Sequence, residues 1–417
     1  MRQFVFDDYI FDPSTGEAVF RYHFDGGLEF AERVRFTVGS DYDPAVLDRA
    51  LFLTFILMGV SYYKTFPAPG VQFSAHTIDD WQAGFLNGVY QEGLSQFAFE
   101  NNLTRDDLAH FTANGKAGPA LPYDGSGSIS LQSGGKDSLL VAMLLRDKQA
   151  DFSSLYVSSG QRHPAVLDTI GRPLQIVERH IDTEKLRRAA EDGGKNGHVP
   201  ITFIILSIAL VQAVLDGKNN VLAAIGHEGE EPHASIGDLA VTHQWSKTWG
   251  AEQLFAEYVQ RYISPDIHVG SPLRQYSELK IAELFVERAW DRFGHRFSSC
   301  NVANYRQGAD NTELAWCGEC PKCANSYVLF APFLPSVELQ SIFGGKDLFA
   351  SPSLVDVFKG LLGIDGVMKP FECVGEVDEL RSAYHMAQAR GYTPLPFEVP
   401  VSHFDREYEY PAQMIQL

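Results

Sequence analysis

Ser128-Ile-Ser-Leu-Gln-Ser133-Gly-Gly-Lys-Asp-Ser138-Leu-Leu-Val-Ala-Met-Leu-Leu145 decides the fold. The short apolar run Ser128 to Gln132 reads as a buried strand, the two glycines as a tight turn, and Leu139 to Leu145 as the start of an amphipathic helix running to about Lys148. A glycine turn that leads from a strand into a helix N-terminus is a place for an anion. Glycine lets the backbone approach a ligand closely, several N–H groups point inward, and the helix end carries roughly half a positive charge. Pyrophosphate fits there: Lys136 adds a point charge, Ser133 and Ser138 add hydroxyl donors, and Asp137 offers a carboxylate to Mg²⁺ or to the loop itself.

The same alternation continues downstream. Strands are expected at Ser154 to Ser158, Leu174 to His180 and Val221 to Ile225, which implies a parallel sheet built from βαβ units. The uncharged stretch Val199 to Leu215 is near the lower limit for a membrane span. Pro200 and Thr202 suit a helix start and Asp216-Gly-Lys-Asn-Asn220 a stop, so it reads as a crossover helix. Upstream, Phe4 to Phe11, Ala18 to Phe24 and Leu28 to Val38 read as an antiparallel meander, followed by helices near Pro44 to Tyr63 and Asp79 to Phe99. Gly115 to Gly127 is rich in Gly, Pro and Ser, as linkers are. The expected division is an N-terminal α+β domain (1–122), an α/β parallel-sheet domain (123–298) and a cysteine-bearing, mainly helical C-terminal region (299–417).

The chain has 417 residues, with 34 Lys and Arg against 53 Asp and Glu, a formal net charge of -19. That balance repels a nucleic-acid backbone, so no nucleic-acid partner is expected. The first residues lack the features of a signal peptide, and the reading is cytoplasmic, with no membrane partner. Cys317-Gly-Glu-Cys320-Pro-Lys-Cys323 with Cys300 upstream supplies four thiolates, the number that closes a structural zinc site. An iron-sulfur cluster on the three close cysteines and four unliganded thiols are the alternatives.

The loop Ser133 to Ser138 lacks Walker A spacing and instead resembles the PP-loop of ATP pyrophosphatases, a Rossmann-like superfamily related to the adenine nucleotide alpha-hydrolases. The resemblance implies ATP held with Mg²⁺ at Ser133, Gly134, Gly135, Lys136, Asp137 and Ser138, cleaved between the α and β phosphates to adenylate a substrate. The cysteine run is similar to that of the family's deazaguanine synthases, which bind zinc there. Several segments together resemble one branch, the ATP-dependent UDP-N-acetylmuramoyl-L-alanyl-L-glutamate epimerases of peptidoglycan synthesis. They are Gly59-Val-Ser-Tyr-Tyr-Lys64, Ser271-Pro-Leu-Arg-Gln-Tyr-Ser-Glu-Leu-Lys280, Trp316 to Cys323 and Pro370-Phe-Glu-Cys-Val-Gly375. This resemblance implies inversion of a terminal L-Glu through an acyl-adenylate. A 7-cyano-7-deazaguanine synthase-like ligase is the alternative enzyme; a tRNA thiolase and a non-catalytic scaffold are further ones.

Candidate catalytic residues are then Lys136, Asp137, His227, Glu228 and Cys373. His227-Glu228 follows a strand at the carboxyl edge of the sheet, where ligands bind in open α/β folds. Cys373 stands outside the cysteine cluster, and cysteines serve cofactor-independent amino-acid racemases; the competing reading is a small core thiol. Arg274 and Lys280 are candidates for the substrate's phosphates or carboxylates, and Arg162-His163 and Lys195 to His198 are further loop candidates. Phe343-Gly-Gly-Lys-Asp-Leu348 repeats part of the loop but lacks its serines and preceding strand, so it reads as a helix-end turn.

Overall fold

The computed structural model describes residues 3–39, 41–306 and 312–411. The chain forms β1 (Phe4–Asp12), β2 (Glu17–Phe24), β3 (Leu28–Arg35), β4 (Val71–Phe73), β5 (Ser128–Leu131) and β6 (Phe152–Ser158). It continues with β7 (Leu174–His180), β8 (Asn220–Leu222), β9 (Ala234–Ile236), β10 (Leu239–Val241) and β11 (His268–Gly270). Among the described residues nine strands make one sheet in the order β11-β8-β5-β6-β7-β3-β2-β1-β4, while β9 and β10 form a separate hairpin. From β11 to β7 every pairing is parallel. The expected meander, β1 to β3, is antiparallel and joins the parallel strands through an antiparallel β3–β7 pairing, with Val34 opposite Arg179.

That junction carries a buried ion pair. Arg179 Nε donates to Glu32 Oε1 at 2.5 Å, and Glu32 is fully buried. Sheet continuity across 122 depends on tertiary pairing, which local patterning does not encode.

Helices cover both faces. Pro44–Met58 and Ile201–Leu215 pack together on one face in a core that also holds the meander's aromatic rings. Ile201–Leu215 is the expected crossover helix and leads into β8. Among the described residues one helical stretch, Pro44–Tyr63, is long and apolar enough to cross a membrane, and 78% of its apolar window is buried inside the fold. On the other face Lys136–Asp147 and Glu278–Arg288 pack with the C-terminal helices Pro321–Phe330, Val355–Leu361 and Val377–Ala389. The second Gly-Gly-Lys-Asp is a helix end: Gly344 and Gly345 take φ of 67° and 81° after the helix Ser336–Ile342, and Gly345 N–H donates to Gln340 O at 2.8 Å.

The order of the parallel strands places the site. From β5 the chain steps to β6 and β7 on one side, then crosses to β8 and β11 on the other. Strand order therefore reverses between β5 and β8, and the crevice beyond their carboxyl ends is where open α/β sheets bind ligands.

Candidate active site

The loop after β5 opens into that crevice. Gly134 adopts φ +80°, which favours glycine, and a Cβ there would sit 2.5 Å from Leu314 Cδ1 and make that side chain shift. The two serines brace the turn: Ser133 N–H donates to Ser138 Oγ (3.2 Å), Gly135 N–H to Ser133 Oγ (3.3 Å), and Ser138 Oγ to Gly135 O (3.2 Å). Gly135 is then the N-cap of Lys136–Asp147, with no side chain capping it, which leaves the helix end facing the crevice. The cysteine-bearing region lies on the same turn, because Ser298 N–H donates to Gly134 O (3.3 Å).

Lys136 is 8% exposed, and its ammonium donates to Asp137 Oδ1 at 2.8 Å and to Glu278 Oε2. Burial alone would lower its pKa; the Asp137 and Glu278 carboxylates outweigh that and hold it charged. Glu278 is the first residue of its helix, presented there because Ser277 Oγ caps the end by accepting Lys280 N–H (3.2 Å). Burial pushes the Glu278 carboxyl up, against the opposing pull of Lys136.

A second ammonium, half-buried, lies nearby. Lys247 Nζ donates to Glu228 Oε2 at 3.1 Å, and Glu228 follows β8 across the crevice from the loop. Burial would lower Lys247; the acidic groups around it, Glu228, Glu278 and Asp137 among them, hold it above the ordinary lysine value instead. Cys373 Sγ lies 3.8 Å from His243 Nε2. On its other nitrogen His243 meets Gln96 Oε1 at 2.5 Å, and the Gln96 amide is oriented by its donation to Glu100 Oε1 (2.6 Å). Nδ1 is therefore the protonated nitrogen, and Nε2 presents a lone pair to the thiol. Burial pushes the imidazole down to about 4, so the ring is neutral at physiological pH.

The segment carrying Cys373 is pinned by the cysteine-rich region. Lys322 Nζ donates to Cys373 O (2.8 Å), Asn325 Oδ1 accepts Gly375 N–H (2.9 Å), and Asn301 Nδ2 donates to Glu372 Oε2 (2.8 Å). Those three side chains lie on or beside the four clustered cysteines. The Sγ atoms of Cys300, Cys317, Cys320 and Cys323 all lie within 4.8 Å of one another and can hold a metal ion; Cys300 joins the other three despite its distance in sequence.

The remaining candidates separate. His227 is packed beneath the C-terminal tail, its ring stacked on Tyr408 at 3.7 Å and its Nδ1 2.5 Å from Tyr410 Oη. Arg274 is fully buried, its guanidinium committed to Gly226 O, Lys247 O and Glu252 Oε2. It braces the backbone that carries Lys247. Lys280 pairs with Glu283 and Glu407 on the outer side of its helix. His163 faces Asp168 at 2.9 Å, and His198 lies against His243 with ring centroids 4.6 Å apart.

The family model described as the MurL N-terminal domain matches residues 1–271, and that described as the MurL C-terminal domain matches residues 296–393. The chain belongs to the MurL family. Among its relatives, the UDP-N-acetyl-alpha-D-muramoyl-L-alanyl-L-glutamate epimerase of Xanthomonas oryzae pv. oryzae (strain MAFF 311018) is 34% identical over 386 residues, 91% of this chain and 84% of the relative. The protein of the same name from Salinispora tropica is 34% identical over 389 residues, 91% of this chain and 83% of the relative. The crevice draws on both MurL segments: Lys136, Glu228, His243 and Lys247 lie in the first, Cys373 in the second, and Glu278 in the stretch between them.

Glu278, His243, Gln96 and Lys247 were not singled out from sequence. Glu278 was the most accessible of them, since a serine before an apolar helical run marks an N-cap and places the next residue at the helix mouth. His243 and Lys247 follow a short hairpin whose placement only the folded chain reveals.

Proposed function

We propose that this chain is an ATP-dependent epimerase that inverts the terminal L-Glu of UDP-N-acetyl-alpha-D-muramoyl-L-alanyl-L-glutamate through an acyl-adenylate. The observation that carries this reading is the braced turn Ser133 to Ser138, with its uncapped helix end and Lys136 at the switch point, in a chain whose relatives bear that epimerase's name. The turn's N–H groups, Lys136 and the two serine hydroxyls would hold the leaving pyrophosphate, with Asp137 available to Mg²⁺. Two of the three Lys136 ammonium protons meet Asp137 and Glu278, which leaves one for a phosphate oxygen.

The α-proton of a free glutamate carboxylate is too weakly acidic for a side-chain base to remove. Attack of the carboxylate oxygen on the α-phosphorus of ATP expels pyrophosphate and cancels the carboxylate's charge, which makes the α-carbon acidic. Proton removal, return to the other face and hydrolysis of the adenylate then yield D-Glu and AMP. An enzyme of this kind would work in the cytoplasm.

The four cysteines would hold zinc in a structural role. A tetrahedron with Zn–S bonds of about 2.3 Å has edges of about 3.8 Å, and the closest Sγ pairs here are separated by 3.5 to 3.7 Å. Through Lys322, Asn325 and Asn301 such a site would fix the Cys373 segment.

The test is purified protein with ATP, Mg²⁺ and the L-Glu muramoyl dipeptide nucleotide. Equimolar AMP, pyrophosphate and D-Glu product are expected. Inversion without ATP would overturn the adenylation step, and no inversion under any condition would overturn the assignment.

A further inference from the structure

The carboxyl edge of the sheet holds, beside the phosphate turn, a relay that nucleotide binding does not require. It runs from Glu100 to Gln96 to His243 to Cys373, at 2.6, 2.5 and 3.8 Å. Gln96 is buried, and His243 and Cys373 are both partly open, unlike the buried Cys300, Cys320 and Cys323. A thiol that served only as core filling would need no oriented imidazole. A nucleophile or base paired with a second base, which is itself oriented by a third group, is the arrangement that activates a side chain for proton or bond transfer.

The surroundings restrict what it can be used for. Lys247 Nζ donates to Glu228 Oε2 at 3.1 Å, and Cys373, Glu278 and Asp137 are all near enough to act on its charge. An acyl group activated at the turn would then have both a thiol and an ammonium in its neighbourhood.

We propose that Cys373 removes the α-proton of the activated glutamyl residue, that His243 positions and activates its thiol, and that Lys247 delivers a proton to the opposite face. This deepens the epimerase reading and rests on it. The thiol proton passes to His243 Nε2 as the sulfur takes the proton from Cα, and the C–H electron pair moves into the acyl carbonyl. Lys247 Nζ then protonates the other face, the carbonyl π bond reforms, and the neutral amine regains a proton from the imidazolium through solvent. Each group returns to its starting state and no oxidant is consumed. The neutral imidazole that burial enforces is the state able to accept the thiol proton.

Two-sided chemistry predicts an asymmetry in D₂O. Cys373→Ser, given ATP, Mg²⁺ and the L-Glu substrate, is expected to release pyrophosphate yet to lose α-deuterium exchange and D-Glu formation by at least 100-fold. Lys247→Gln is expected to release pyrophosphate and to exchange the α-proton of the L-Glu substrate while forming no D-Glu. His243→Asn is expected to lower both exchange and the rate of Cys373 alkylation by iodoacetamide at neutral pH, a readout that loss of packing alone would not give. Wild-type exchange surviving in Cys373→Ser would overturn the assignment of the thiol. Lys247→Gln failing to release pyrophosphate would place that lysine with the nucleotide instead. A wild-type protein that inverts its substrate without releasing pyrophosphate would remove the adenylation reading and leave the Cys373 and His243 tests standing.

Discussion

Replacing Arg179 by Met tests whether the seam between β3 and β7 holds the sheet together. Glu32 is fully buried, its Oε1 receives Arg179 Nε at 2.5 Å, and its Oε2 has no hydrogen-bond partner. Removing the guanidinium leaves a carboxylate at the middle of the sheet with no countercharge, a change that costs about 3–5 kcal/mol in buried pairs. Glu32→Leu alone strands Arg179, which is 8% exposed and retains Ser61 Oγ at 3.3 Å, so its cost is expected to be smaller, about 2–3 kcal/mol. The double variant Glu32→Leu/Arg179→Met removes both charges and is expected to lie within about 1 kcal/mol of wild type. Urea denaturation followed by far-UV circular dichroism, fitted as a double-mutant cycle, gives the coupling directly. Additive losses in the double variant, or a loss below about 1 kcal/mol in Arg179→Met, would refute the claim that this pair fastens the seam.

Three further outcomes follow from the site. Gly134→Ala is expected to cost about 1–2 kcal/mol of backbone strain and, by pushing the turn off Leu314, to slow pyrophosphate release about 100-fold; unchanged turnover would show that the turn's shape does not matter. Glu379, whose Oε1 accepts the Leu279 N–H (2.6 Å) next to Glu278, has its carboxyl raised by burial from the ordinary glutamate range to about 8, so it folds protonated. The stability it contributes is complete below about pH 4.5 and is lost as pH rises toward 8; Glu379→Gln is expected to gain a few kcal/mol over wild type at pH 8 and almost nothing at pH 4.5, and equal midpoints in thermal melts at both would contradict it. Cys300→Ser is expected to lower zinc content, measured by plasma mass spectrometry, from about one equivalent per chain to a small fraction; full occupancy would mean that the other three thiols suffice.

Much of this architecture is legible in local pattern. The run from Ser128 to Leu145 declares strand, turn and helix because each has its own periodicity and glycine marks the change between them. The meander reads equally well, since β1 to β3 alternate and are separated by turn residues. What escapes is whatever depends on distant pairing. β4 and β11 are three-residue strands without a period to detect, and nothing near Val34 announces that Arg179 will lie opposite. At the site the same division holds. The Ser133–Ser138 turn and the cysteine cluster are contiguous or nearly so in sequence, so local patterning is enough to find them. The Gln96–His243–Cys373 relay draws on three parts of the chain that meet only after folding. Arg274 shows the same limit from the other side, because nothing in its polar loop segment announces full burial against Glu252.

The antiparallel join of β3 to β7 also limits how this protein can be cut. A fragment beginning near residue 123 would retain the Ser133–Ser138 turn and the cysteine cluster, but it would expose β7 as a sheet edge, with unpaired backbone groups and a stranded Arg179. Open edges of that kind recruit strands from other chains. Such fragments are expected to self-associate when expressed, and adding the missing 1–122 piece in trans should return them to solution by supplying the absent strand.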